Sequence, residues 1–122
     1  RAFFCPERSQ LVAARIEYGK KEIRVYLDGE IDHHSASLIR VSIDEAVSRK
    51  RPLLLVLDFD KVSFMDSSGI GLVMGRYKLL NEFGGELEVT GLSNNSYKVM
   101  RLAGLDRIAT IKKGAGIKNG NK

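Results

Sequence analysis

The sequence predicts an α/β fold, in which a small, mixed and mostly parallel β-sheet has helices packed against it. Strand-like and helix-like patterns follow one another in the order β-β-α-β-α-β-α-β, and parallel neighbours in a sheet need helical crossovers of this kind. The segment 53–59 is almost continuously apolar, which is typical of a central strand buried on both faces beneath helices. The 122 residues fit a single domain.

A β-hairpin opens the predicted sheet. Two short strands at 11–17 and 22–28 flank a turn at 18–21 that contains Gly19. In the second strand apolar and polar residues alternate, so we expect one face of it to be buried.

The first helix is predicted at about 35–49. Ser35 is its expected N-cap, although Asp32 could also cap the helix start or form a turn. The basic residues 49–51 suit the negative end of the helix dipole, and Pro52 stops the helix. Its predicted buried stripe consists of Leu38, Ile39, Val41, Ser42, Ala46 and Val47.

Four further elements follow the central strand. They are a helix at 68–83, a strand at 86–90, a shorter helix at 94–103 and a last strand at 107–111. Paired glycines end the longer helix and Gly104 ends the shorter one. The apolar face predicted for the longer helix consists of Ile70, Val73, Met74, Tyr77, Leu80 and Phe83.

Composition limits the class of protein. The chain is 43% hydrophobic and 29% charged, as soluble globular proteins are. Its single cysteine cannot form an internal disulfide, which is compatible with a reducing compartment. No apolar run approaches the roughly 20 residues that cross a membrane. We therefore expect a cytoplasmic protein that needs no membrane.

Positive charge is concentrated at the end of the chain. Residues 98–122 hold seven basic residues and one acidic residue, whereas residues 1–97 have slightly more acids than bases. Composition predicts an irregular segment at 1–10, a folded domain at 11–111 and a flexible basic tail at 112–122. A docking site for an anionic partner is the less favoured interpretation of that tail. Because basic residues interleaved with aromatics are missing from the body of the domain, direct nucleic-acid binding is not expected.

The most informative segment lies where the central strand gives way to the longer helix. Asp66 or Ser67 is the expected N-cap there. The free N–H groups and positive dipole end of a helix start would accommodate a phosphate on Ser67. Local chemistry leaves two interpretations open: Ser67 is a phosphorylation site, or it only caps the helix.

Two catalytic or cofactor interpretations lack necessary parts. Gly69, Gly71 and Gly75, followed by Glu88, resemble a dinucleotide fingerprint, but the spacing is off by one and serines occupy the tight turn. We expect these glycines instead to let the helix pack closely on the sheet.

A serine hydrolase built on Ser67 with His33 or His34 would need a base and an oxyanion hole that the sequence does not indicate. The adjacent histidines also lack the partners of a metal site. The loop acids Asp58 and Asp60 could hold a cation, but such pairs are usually only solvated. We expect no enzyme activity, no cofactor and no metal.

Two signatures in the right order resemble the STAS-domain family. The stretch at 64–78 reads FMDSSGIGLVMGRYK, and the stretch at 29–34 reads GEIDHH. Both resemble most the anti-sigma factor antagonists of the sporulation sigma factor F pathway. A weaker match over 93–108 extends the likeness, which covers about 11–111. The Gly/Lys/Asn-rich end departs from the family, where another apolar helix is expected.

The resemblance implies a role in partner switching. The unphosphorylated antagonist would bind an anti-sigma factor that is itself a serine kinase, and so free the sigma factor. Phosphorylation of Ser67 by that kinase would inactivate it, and a serine phosphatase would reset it; ATP and Mg²⁺ belong to the kinase. Arg76 is expected at the surface or against the partner. The implied partner-binding residues are Asp32, Ser63, Met65, Asp66, Ser67, Ser68, Gly69 and Gly71.

A different class of function also fits the fold. A STAS scaffold or ligand-sensing module that does not switch would bind another partner without phosphorylation. The serine at position 67 and the residues Gly75-Arg76-Tyr77-Lys78 that continue the signature argue against it.

Overall fold

The computed structural model describes residues 12–114. The predicted order of strands and helices is confirmed, with a short 3-10 helix at Leu105–Arg107 added before the last strand. The elements are β1 (Val12–Tyr18), β2 (Glu22–Ile31), α1 (His33–Lys50), β3 (Leu54–Met65), α2 (Ser67–Asn81), β4 (Glu86–Leu92), α3 (Asn94–Leu102) and β5 (Thr110–Lys113).

The strands form one five-stranded sheet in the order β1-β2-β3-β4-β5. β1 pairs with β2 in antiparallel fashion through the predicted hairpin, and the three remaining pairs are parallel. The mixed, mostly parallel sheet is thus as predicted. β2 and β3 run several residues further than the sequence pattern indicates, and their additional residues still pair with each other. This extension carries both strands to the site described below.

One hydrophobic core lies on one face of the sheet. It joins alternate strand residues such as Leu57 and Val89 to apolar residues of the helices such as Ile43 and Leu80. The expectation that β3 is covered by helices on both faces is wrong. Val56 is buried but lies outside the core, and its sheet neighbours are Arg24 and Glu88. On that face its register partners on β2 and β4 are charged residues rather than members of the core.

The buried stripes of the helices differ from the predicted ones at three apolar residues. Leu38 and Val41 of α1 and Met74 of α2 are exposed, while Ile43 and Leu72 are buried instead. Helical spacing alone admits either neighbouring stripe, and the packing of α1 against α2 selects one of them.

The C-terminal part of the domain is longer than predicted. Lys112 and Lys113 belong to β5, so the expected tail does not begin at 112. The last strand was predicted at 107–111, but Arg107 ends the 3-10 helix, residues 108–109 form a turn, and β5 begins only at Thr110. The predicted irregular segment at 1–10 and the remaining tail at 115–122 lie outside the described residues.

Candidate functional site

The carboxyl ends of β2 and β3 lie side by side at one edge of the sheet. The last residues of the two strands, Ile31 and Met65, are register partners. Beyond them the Asp66 N–H donates to the Ile31 carbonyl oxygen at 3.2 Å. The helices α1 and α2 start from these two adjacent ends, so Asp32 and Asp66 are brought together as two neighbouring N-caps.

Asp32, not Ser35, is the N-cap of α1. Its carboxylate accepts a hydrogen bond from the Ser35 N–H at 2.9 Å, and the Ser35 hydroxyl oxygen accepts one from the Asp32 N–H at 2.9 Å. The bond from the Ser35 N–H holds the pKa of the Asp32 carboxyl below its usual value. Ser35 is itself buried. The structure thus selects the second of the two caps that the sequence allowed, since either residue type can cap a helix.

Asp66 is the N-cap of α2. Its carboxylate accepts from the Ser68 N–H at 2.7 Å, which settles the choice between Asp66 and Ser67. Ser67 is therefore the first residue of the helix, and its side chain is exposed. Its hydroxyl makes no hydrogen bond to any residue of the described range 12–114. An enzyme approaching from solvent can reach this hydroxyl, whereas Ser68 is half-buried.

The electrostatics at Ser67 have two opposing parts. The start of α2 contributes the positive end of a helix dipole, which favours an added phosphate. Asp66 already occupies the Ser68 N–H with its own negative charge. A phosphate on Ser67 would thus stand beside one carboxylate in its own cap and near a second at the start of α1. Phosphorylation would add about −1.5 to −2 charge to a surface that is already acidic.

A comparison with protein-family models identifies the chain. Residues 13–115 match the model of the STAS domain, which covers the sheet, the three helices and the two capped helix starts. The chain belongs to the STAS domain family. The resemblance inferred from the two sequence signatures is thereby confirmed.

Relatives of this STAS domain have regulatory names. The anti-sigma F factor antagonist of Paenibacillus polymyxa is 38% identical over 96 residues, which cover 79% of this chain and 82% of the relative. A regulatory name of this kind agrees with the expectation that the chain is not an enzyme.

Two solved structures of an anti-sigma factor antagonist share the fold of this chain. The anti-sigma factor antagonist SpoIIAA in its unphosphorylated form superposes with a TM-score of 0.72 at 30% identity, over 88% of this chain and 95% of that one. The phosphorylated form of SpoIIAA from Bacillus superposes with a TM-score of 0.67, also at 30% identity, over 88% and 97% of the two chains.

The glycines of α2 in this STAS domain have different environments. A Cβ at Gly69 would overlap the Met65 side chain, so this glycine does let the helix start lie close on β3. A Cβ at Gly71 or Gly75 would meet nothing within 4 Å. The expectation that all three glycines serve packing on the sheet is therefore wrong. Ser67, Gly71 and Gly75 lie on one face of α2, because residues four apart share a helix face. The two glycines therefore leave a strip without side chains that begins at Ser67.

The strand that leads into α2 exposes a residue that sequence reasoning missed. Ser63 and Phe64 are both exposed, and Phe64 keeps 52% of its surface accessible. Met65 is half-buried against the core. A large aromatic side chain exposed two residues before Asp66 is a natural contact for another protein. The sequence gives no signal for it, because exposure does not alternate at 63–65, where Ser63 and Phe64 are both exposed.

Arg76 is not at the surface, contrary to expectation. It is 5% exposed, and its Nε lies 3.0 Å from Oδ1 of Asp44 in α1. The two atoms are close enough for an ion pair, but they are not aligned for a hydrogen bond. Arg76 Nη1 also has no hydrogen-bond partner within the described part of the chain. Burial raises the pKa of Asp44 and lowers the pKa of Arg76. The pair joins α1 to α2 and takes Arg76 out of reach of a partner.

The histidines and loop acids that the sequence analysis considered have these positions. His33 and His34 are exposed in the first turn of α1, and within 12–114 no group of three His, Cys, Asp or Glu side chains could hold a metal ion. Asp58 pairs with Arg24 at 3.5 Å, and Glu88 with Lys112 at 3.3 Å.

Among the helices of residues 12–114, none is long and apolar enough to cross a membrane.

Proposed function

We propose that this STAS domain is an anti-sigma factor antagonist whose binding is switched by phosphorylation of Ser67. The observation that carries the proposal is the position of Ser67: exposed, first in α2, and free of hydrogen bonds within residues 12–114. The relative from Paenibacillus polymyxa supports the antagonist role by its name, and the phosphorylated SpoIIAA structure supports a phosphorylated state of this fold.

The partner of the unphosphorylated form is an anti-sigma factor that is also a serine kinase. Its binding frees the sigma factor. The kinase supplies ATP and Mg²⁺, a serine phosphatase restores the free hydroxyl, and the exchange takes place in the cytoplasm. Sporulation is the process we assign, since the named relative acts on an anti-sigma F factor. The STAS domain contributes a hydroxyl and a docking surface rather than catalysis.

The docking surface surrounds the two helix starts. To phosphorylate Ser67, the kinase must bring its active site to this sheet edge, so the residues around the hydroxyl become part of the interface. The exposed side chains of Ser63 and Phe64 flank it on β3. The proposed contact residues are Asp32, Ser63, Met65, Asp66, Ser67, Ser68, Gly69 and Gly71, with Phe64 added.

Phosphorylation would weaken this interface through charge. A phosphate on Ser67 is a bulky dianion beside Asp66, and it must be desolvated or repelled when the same surface docks. A loss of about 3–4 kcal/mol in binding free energy corresponds to a several-hundredfold weaker complex. No unfolding of α2 is needed, because the helix start tolerates a negative charge.

A binding assay with the cognate anti-sigma factor kinase loaded with ADP tests the proposal. Wild type and Ser67→Ala should bind with similar affinity, and Ser67→Asp should bind at least tenfold more weakly. Ser48→Asp, which adds the same charge at an exposed position near the C-terminal end of α1, is the matched control and should bind like wild type. Equal binding by Ser67→Ala and Ser67→Asp would rule out the charge mechanism.

A further inference from the structure

A cationic groove lies between α3, the 3-10 helix and β5. It is open to solvent, with a volume of about 790 Å³, within the range of ligand-binding clefts. Four basic side chains and one carboxylate, Asp106, line it. The basic residues are Lys98, Arg101, Arg107 and Lys113.

The positive charges of the groove are poorly compensated. Arg101 approaches Asp106 only at 3.9 Å, in an exposed pair. Lys98, Arg107 and Lys113 take part in no ion pair with any other described residue. The Arg101 guanidinium and the Lys113 ammonium both face the Tyr97 ring, at 6.0 and 5.1 Å from its centroid. Two cations thus lie over one neutral ring in the groove. An anion bound there would offset the repulsion between Arg101 and Lys113.

Apolar surface adjoins the cations. Leu102, which also lines the groove, is 82% exposed, more than any other large hydrophobic side chain in residues 14–114, and Val99 of the same helix is exposed as well. A leucine this accessible beside a cluster of cations matches a ligand that combines negative charge with apolar side chains.

We propose that this groove binds an acidic segment of a protein partner that also presents apolar side chains. Charge complementarity selects an acidic ligand. A concave surface accepts a polypeptide segment more readily than a flat bilayer. A nucleic acid would leave Leu102 unused and would find one aromatic ring rather than a series of stacking platforms. Residues 115–122 are a poor occupant, since they carry two lysines and no acid.

The proposal does not depend on Ser67. The groove is built by α3 and β5, whereas the phosphorylation site lies at the start of α2, so a second partner, or a second contact with the same partner, would be held independently of the switch. The groove can therefore be tested on the unphosphorylated protein alone, and its failure would leave the proposed function untouched.

A fluorescent twelve-residue peptide of Glu and Asp with two Leu is a suitable probe, measured by fluorescence anisotropy with the full chain. Wild type should bind it, and binding should weaken with added salt. The double variant Lys98→Glu/Arg107→Glu should bind at least tenfold more weakly. Leu102→Ser should bind about threefold more weakly, and should fold because its side chain is exposed. The matched control Lys20→Glu/Lys61→Glu makes the same change in net charge at exposed positions and should stay within twofold.

Competitor ligands decide between kinds of partner. An all-Glu peptide of equal charge should bind more weakly than the probe, and so should a single-stranded oligonucleotide and phosphatidylglycerol vesicles. The proposal is overturned if the probe does not bind, if the groove variant and its control lose affinity equally, or if the oligonucleotide or the vesicles bind more tightly. Salt-sensitive dimerisation in sedimentation that Lys98→Glu/Arg107→Glu abolishes would overturn it in favour of a second copy of this chain.

Discussion

At the scale of single residues, Asp32 connects the stability of the domain to the geometry of the site. Its carboxylate holds the first turn of α1 through the Ser35 N–H, and this bond lowers its pKa. The stabilisation is complete above the ordinary carboxyl pKa of 3.8. It is lost as the pH falls through the lower pKa of the folded state, because the protonated carboxyl accepts the bond poorly.

Asp32→Ala should therefore destabilise the protein at neutral pH, with the difference from wild type disappearing in acid. Urea unfolding curves at pH 7 and at about pH 2 measure this. Glu45→Ala, an exposed carboxylate on the same helix, should show no such convergence. A difference for Asp32→Ala that is unchanged in acid would contradict the charged cap.

The sequence indicates the positions of some residues better than those of others. Asp66 and Ser67 were predictable, because capping chemistry and helix starts are local. The burial of Arg76 was not, since its partner Asp44 lies 32 positions away on another helix. The exposure of Leu38 and Val41 was missed for a related reason: an apolar residue beside the buried stripe looks the same in sequence as one within it.

At the scale of elements, α2 is built for more than packing. A glycine in a helix interior costs roughly 0.5–1 kcal/mol of stability relative to alanine. At Gly71 and Gly75 an added Cβ would meet nothing within 4 Å, so packing within the domain does not require glycine at either position. Close approach of a partner along the strip from Ser67 would explain both residues. This interpretation separates fold stability from binding, so the two can be measured apart.

Gly71→Ala should raise the free energy of unfolding by about 0.5–1 kcal/mol and weaken binding to the ADP-loaded kinase. Gly75→Ala should stabilise the fold to a similar extent, and its effect on binding shows how far along α2 the interface extends. Gly69→Ala should destabilise the fold, because its Cβ would overlap Met65. Urea unfolding and the binding assay give both quantities. Unchanged binding by Gly71→Ala would remove this residue from the interface.

At the scale of the whole molecule, the sheet has one apolar face and one charged face among residues 14–114. The mostly parallel pairing followed from the alternation of strands and helices, whereas the order of the strands in the sheet was not predicted. The position of Val56 outside the core did not follow from the sequence, because Val56 is apolar and buried like its core neighbours. Its surroundings are set by Arg24 and Glu88 on the adjacent strands, which only the register reveals.

Matched valine substitutions test this two-faced sheet. Val89→Thr places a hydroxyl in the core and should cost about 1–3 kcal/mol in the free energy of unfolding. Val56→Thr, at a similarly buried position on the charged face, should cost less than about 1 kcal/mol, because the carboxylate of its neighbour Glu88 can accept a hydrogen bond from the hydroxyl. Denaturant unfolding of both variants gives the comparison. Equal costs would indicate that both faces are apolar.

The central claim is that Ser67 is the residue a partner kinase modifies. The most direct measurement incubates the wild-type chain, Ser67→Ala and Ser68→Ala with the cognate anti-sigma factor kinase and ATP, and maps phosphate by mass spectrometry. We predict one phosphate on Ser67 in wild type and in Ser68→Ala, and none in Ser67→Ala. Phosphate on Ser68, or an unmodified wild type that also fails to bind the kinase with ADP, would contradict the account.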